Sequence, residues 1–172
     1  MRIISGGQSG ADRAALDAAI SLNIPHGGWL PRGRKAEDGP LPARYRLRET
    51  ETDSYRERTE KNILDSDATL ILSFGPLTGG SALTESLALR HDRPCLTIDL
   101  EEVPQESAAG AVEKWLLRHA IRTLNVAGPR ASNEPRIYNA VLALLLAIDW
   151  PEELQNRGKT KSIPKPVPTP KQ

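Results

Sequence analysis

Arg2-Ile3-Ile4-Ser5 runs straight into Gly6-Gly7-Gln8-Ser9-Gly10-Ala11-Asp12, and Ala68-Thr69-Leu70-Ile71-Leu72-Ser73 leads through Phe74 into Gly75-Pro76-Leu77-Thr78-Gly79-Gly80-Ser81. Each is an apolar, strand-like run that turns through glycines into a helical pattern. Such a corner gathers unpaired backbone N–H groups and the positive end of a helix dipole at one spot, which suits an anion such as phosphate. Two corners of this kind in one small chain point to one phosphorylated ligand. The candidate contacts are Gly6, Gly7, Gln8, Ser9 and Gly10 from the first and Gly75, Thr78, Gly79, Gly80 and Ser81 from the second.

Outward from these corners strand and helix signals alternate. The first corner opens a helix over 11–22 with Ala14, Ala15, Ala18, Ala19 and Leu22 on one face. A weaker strand over 24–30 is broken by Pro25, Gly27 and Gly28, and residues 31–51 have no sustained period, as expected of a long functional loop. Asp53 or Ser54 can cap a helix over 55–65, with Arg56, Glu57, Glu60 and Lys61 solvated and Ile63 and Leu64 turned inward. After the strand 68–73 come a helix over 81–91, a buried strand over 94–100, an amphipathic helix over 107–122 and a strand over 123–128. The last helix, 134–149, is so apolar from Ala140 to Leu146 that it must be largely covered, and a second subunit is one way to cover it. This order predicts a mostly parallel sheet with helices on both faces and ligands at the carboxyl ends of the strands, the edge on which both glycine corners lie. Residues 1–150 form the ligand-binding domain, and the Pro- and Lys-rich residues 151–172 read as a flexible tail.

Composition narrows the function. The net charge of +1 divides unevenly, since the tail holds five basic and two acidic residues and leaves the rest slightly acidic. With no basic face and few aromatic residues for base stacking, nucleic acid is not an expected partner. A single cysteine, Cys95, excludes an internal disulfide and fits a reducing cytoplasm. The longest apolar stretch is too short to cross a bilayer, and the chain starts with a strand where a signal peptide would stand, so a soluble, unexported protein is expected. His26, His91 and His119 share no metal-ligand spacing with each other or with Cys95. The first corner lacks the G-x-G-x-x-G order of dinucleotide folds, and no triphosphate-binding loop motif is present.

Further candidates surround the corners. Asp12 either caps the first helix or faces the ligand, and Arg13 can reach back to an anion. The loop from 32 to 48 sets Arg32, Arg34, Lys35, Arg44, Arg46 and Arg48 against Glu37 and Asp38. It is either a clamp over phosphate, with Arg32, Arg34 and Lys35 as its leading members, or a solvated loop. Glu85 either points at the ligand or occupies a favourable helix start.

The opening Ile4-Ser5-Gly6-Gly7-Gln8-Ser9-Gly10-Ala11-Asp12-Arg13-Ala14-Ala15-Leu16-Asp17 closely resembles that of the molybdenum carrier (molybdenum cofactor carrier protein) family. His26-Gly27-Gly28-Trp29, Gly33-Arg34-Lys35-Ala36-Glu37-Asp38-Gly39-Pro40, Arg58-Thr59-Glu60-Lys61-Asn62, Asp65-Ser66-Asp67-Ala68-Thr69-Leu70 and the second glycine corner follow in that family's order, over residues 2–148. The resemblance implies a Rossmann-like three-layer α/β sandwich, distantly similar to the lysine-decarboxylase-like phosphoribohydrolases. It also implies a homo-oligomer that binds the molybdenum cofactor (molybdopterin), a pterin with a terminal phosphate, and serves molybdoenzymes. Against the phosphoribohydrolase signature G-G-x-G-T-x-x-E, Gly79-Gly80-Ser81 match, Ala82 and Leu83 replace the Gly-Thr pair, and Glu85 comes one residue early. The leading reading is a non-catalytic carrier. Its rivals are a nucleotide hydrolase using Glu85 or Asp12, and a nucleotide-sensing module.

Overall fold

The structure, a computed structural model, describes residues 1–151; the expected tail lies outside the described residues apart from Pro151. Among the described residues seven short strands and five helices follow one another. They are β1 (Arg2–Ile4), α1 (Ala11–Ser21), β2 (His26–Gly27), β3 (Trp29–Leu30), β4 (Arg48–Glu49), α2 (Tyr55–Leu64), β5 (Ala68–Ser73), α3 (Gly79–Arg90), β6 (Cys95–Asp99), α4 (Gln105–Arg118), β7 (Thr123–Ala127) and α5 (Ile137–Ala147).

Five strands form one sheet in the order β2-β1-β7-β5-β6, with every pairing parallel. Parallel neighbours need long crossovers, and the helices supply them. The register sets Ile3 beside Leu124 and Leu70 beside Val126, so β7, last in the chain, lies in the middle of the sheet. One sheet face packs Ile3, Leu70, Leu72, Leu124 and Val126 against α1, α4 and α5, through Ala14, Ala15, Ala18, Val112, Leu116, Val141, Leu144 and Leu145. The alanines of α1 let it sit close to both the sheet and α5. Across the sheet α2 and α3 pack together around Ile63, Leu87 and Ala88. The result is a Rossmann-like three-layer α/β sandwich.

Local chemistry explains some boundaries. Ser54 accepts a hydrogen bond from the Glu57 N–H at 3.3 Å and starts α2. All six residues of β5 are buried, as a continuous apolar run between two neighbours requires. Four expectations need correction. Leu64 is 44% exposed, whereas its neighbour Ile63 is fully buried against Leu87 and Ala88 of α3. The strand predicted as buried, β6, is an edge strand in which only Ile98 is buried, since among the described residues nothing pairs beyond it. The predicted strand 24–30 divides at Gly28, so that β2 joins the main sheet and β3 pairs with β4. α3 starts at Gly79, two residues early. α5 buries Ile137, Val141, Leu144 and Leu145 within the chain, while Leu146 stays 44% exposed.

The long loop has a small core of its own. Leu41, Tyr45 and Leu47 pack on Leu30 and on Leu16 of α1. Asp17 fastens it further, accepting hydrogen bonds from the hydroxyls of Tyr45 at 2.8 Å and Tyr138 at 2.7 Å. Among the described residues no helix is long and apolar enough to cross a membrane.

Candidate functional site

β1, β7 and β5 are neighbours, and each ends in a corner at the same edge of the sheet. Between these corners lies a cleft of about 330 Å³. The corner after β1 contributes Gln8 and Asp12. That after β5 contributes Thr78, Gly79, Gly80 and Ser81, with Leu83 and Thr84 beyond, and that after β7 contributes residues 127–130, Ser132 and Asn133. Tyr55, Arg58 and Thr59 of α2 complete the wall. The position obeys the general rule for open parallel sheets, in which ligands bind beyond the carboxyl ends of strands where the crossover direction reverses.

Close backbone approach builds the site. A Cβ on Gly6 would lie 1.8 Å from Arg58 Nη1, so only glycine lets that guanidinium lie across the end of β1 and reach Asp12. Gly10 has φ +79° and a Cβ there would meet the Pro129 carbonyl oxygen at 2.5 Å, so the first corner docks directly on the third. Arg58 Nη1 stands 3.2 Å from Asp12 Oδ2, with the two side chains 13% and 5% exposed. Burial pushes the Asp12 carboxyl above its usual value, while Arg58, the Gln8 N–H, Ser5 and Arg13 pull the other way without prevailing.

Gln8 is 5% exposed, and its amide orientation is settled by its partners. Its Oε1 accepts from the Ser9 N–H at 3.0 Å and from the Glu37 N–H at 2.8 Å, so the oxygen must face those donors. The Nε2 group is left buried with no hydrogen-bond partner among the described residues, as is Arg58 Nε. Buried donors without acceptors are costly in a finished structure, and both belong to side chains that line the cleft.

α3 points its amino end into the same space. Its first turn holds no acidic residue, and Thr78, a good capping residue type, makes no side-chain cap. The Gly79 and Gly80 amides have no acceptor within the helix. α1 differs, because Asp12 in its first turn already supplies a negative charge. The Tyr55 ring is flanked by Arg130 at 5.5 Å, Arg58 at 5.7 Å and Lys35 at 5.3 Å, which sets an aromatic surface beside two cleft arginines. The lining therefore offers donors, two guanidinium groups and one aromatic ring, against the single carboxylate of Asp12.

Of the residues singled out in the sequence, Gln8, Asp12, Thr78, Gly79, Gly80 and Ser81 line the cleft, and Gly6 lies just beneath it. The first corner's amides are used internally: the Gln8 N–H donates to Asp12 Oδ2 at 3.3 Å, the Ser9 N–H to Gln8 and the Ala11 N–H to Pro129. Gly7 packs beneath Leu41, and Ser9 Oγ bonds Glu37 and the Ala131 N–H. Gly75 donates to Asp99 at 2.8 Å. Arg13 is paired with Asp38 at 3.0 Å, and Lys35 with Asp53 at 3.3 Å. Arg34 donates to the carbonyls of Leu41, Pro42 and Tyr45, and Arg32 is exposed. Glu85 accepts from Thr97 Oγ1 at 2.9 Å over the edge strand. None of these eight residues lines the cleft.

Sequence reasoning missed Tyr55, Arg58, Arg130, Ser132 and Asn133. A signal for the third corner was present in Gly128-Pro129 after a strand, the same grammar as the other two. Arg58 stood only within a family block and carried no chemical cue of its own.

Comparison with known proteins agrees with this architecture. Residues 3–148 match the model of the Circularly permutated YpsA SLOG family. A crystal structure from Syntrophus aciditrophicus SB, of a protein described as "Putative molybdenum carrier protein", superposes with a TM-score of 0.83 at 56% identity, over 84% of this chain and 91% of that one. No curated protein matches the chain.

Proposed function

The chain belongs to the Circularly permutated YpsA SLOG family, and from that premise we propose that it binds and carries a phosphorylated planar heterocycle, a pterin monophosphate of the molybdenum cofactor type. The observation that carries this reading is the buried, partnerless Nε2 of Gln8 in a cleft with an uncapped helix start and two arginines. A phosphate oxygen accepts from all of these donors, and the α3 dipole favours its charge. Tyr55 supplies a surface for the ring, and about 330 Å³ falls within the range of small-molecule sites. The residues fit the phosphate and the ring, and molybdenum is cargo borne by the ligand. The name of the 56% identical relative supports a carrier role. In this reading the phosphate contacts are Gln8, Gly79, Gly80 and Ser81, with Arg58 and Arg130 beside them.

A carrier binds without turnover. Calorimetric titration with inorganic phosphate and then with the free pterin cofactor should show saturable one-to-one binding that Gln8→Leu weakens about 10- to 150-fold, the cost of one buried charge-assisted hydrogen bond. Loaded protein should then activate an apo-molybdoenzyme. No binding of either ligand, or equal binding by the Leu variant, defeats the reading. The hydrolase alternative keeps one supporting observation, the raised Asp12 carboxyl in the cleft. Release of free base from nucleoside monophosphates would favour it.

A further inference from the structure

Resting on that reading of the cleft, we infer that Glu37 is a specificity residue: its carboxylate takes the place a second ligand anion would occupy, and so confines the cleft to phosphomonoesters. Four donors converge on it from the first and third corners. The Ser132 N–H donates to Oε1 at 3.1 Å and Ser132 Oγ to Oε2 at 2.5 Å. Ser9 Oγ donates to Oε1, and Arg130 Nη1 stands 3.8 Å from Oε2. Two hydroxyls, a backbone amide and a guanidinium around one point form an anion site in their own right. The protein fills that site from its own loop, with a side chain 21% exposed.

The filled site adjoins the cleft. Arg130 and Ser132 belong to both, since each lines the cleft and each meets Glu37. The Glu37 N–H also holds Gln8 Oε1, so one residue closes the second site and aims the Gln8 amide at the first. Burial raises the Glu37 carboxyl, but hydrogen bonds from Ser132 and Ser9 and the nearby Arg130 outweigh it and hold the group below its usual value. It is therefore charged at neutral pH. A diphosphate whose first phosphate lies at the α3 amino end would have to displace this carboxylate to lodge its second phosphate on Arg130 and Ser132. A monophosphate need not.

The test compares inorganic phosphate with pyrophosphate by calorimetry, on the whole protein and on Glu37→Gln and Glu37→Ala, after circular dichroism shows that the variants fold. The ratio of pyrophosphate to phosphate affinity should rise at least about tenfold in both variants, because a charged competitor for four donors is gone. An equal gain for both anions overturns the inference, since Glu37 would then act only through bulk charge. Loss of phosphate binding, or unfolding of both variants, also overturns it, because Glu37 would then be a brace. In each of these cases the carrier reading stands. If neither anion binds the unaltered protein, the carrier reading falls as well.

Discussion

Breaking the Asp12–Arg58 pair from one side tests how the cleft floor is held. Asp12 is 4% exposed, and its Oδ2 is held by Arg58 at 3.2 Å and by the Gln8 N–H at 3.3 Å. Arg58→Met keeps a flexible apolar stem and strands the carboxylate. Leaving one member of a buried pair alone costs about 3–5 kcal/mol, against a total stability of about 5–15 kcal/mol. With a urea slope of about 2 kcal/mol/M the midpoint should fall by about 1.5–2.5 M. The sign with pH is fixed. Asp12 titrates above its unfolded value, so as pH rises past 3.8 the unfolded chain releases its proton first and stability falls until the folded group ionises. Removing Arg58 raises the folded value further and widens that window, so the deficit of the variant should be small near pH 4 and grow toward pH 8. Asp12→Asn in the same chain removes the stranded charge, and the double variant should recover at least about 1 kcal/mol over Arg58→Met alone. Urea unfolding in phosphate-free buffer measures all three. A deficit of equal size at both pH values, undiminished in the Asn background, would refute the assignment of Asp12 as the carboxylate that Arg58 neutralises.

Three further substitutions separate fold from binding. Gly80 lines the cleft, lies in the first turn of α3 and has nothing within 4 Å of its would-be Cβ. Gly80→Ala should thus leave stability unchanged or raise it by up to about 1 kcal/mol, while phosphate binding measured by calorimetry weakens. Gly10→Ala and Gly33→Ala share a left-handed backbone, with φ +79° and +78°, but a Cβ at Gly33 meets nothing within 4 Å whereas one at Gly10 strikes the Pro129 oxygen. The first should cost about 3 kcal/mol or more and the second about 1–2 kcal/mol in urea unfolding; equal costs would contradict the docking of corner on corner.

What the sequence disclosed followed the range of the interactions involved. β1, β5 and the corners after them rest on neighbouring residues, an apolar run and the glycines that end it, and they were legible. The place of β7 between β1 and β5 was not, because strand order depends on pairings more than fifty residues apart. Charge was visible and its partners were not: Arg34 was open between a phosphate clamp and a solvated loop, yet a loop lacking regular structure must satisfy its own carbonyls, and Arg34 does so for Leu41, Pro42 and Tyr45. Glu85 was open in the sequence between facing the ligand and occupying a helix start. With α3 beginning at Gly79, Glu85 falls in the second turn, beyond the strongest field of the dipole, and hydrogen-bonds to Thr97 on the edge strand. Gln8 was selected from its glycine context, but the device that makes it a donor, two amides gripping its oxygen, needed the loop in place.

The middle strand of the sheet is also the last of the described strands to leave the ribosome. Until Thr123–Ala127 has emerged, β1 and β5 have no bridge between them, and the third wall of the cleft, Arg130 included, does not exist. The growing polypeptide must therefore keep the residues before it unfinished, apolar strand edges and all, until β7 emerges, and then close the sheet in one long-range step. A nascent chain halted before that strand should engage chaperones and hold no cargo. The cleft is complete only after that insertion.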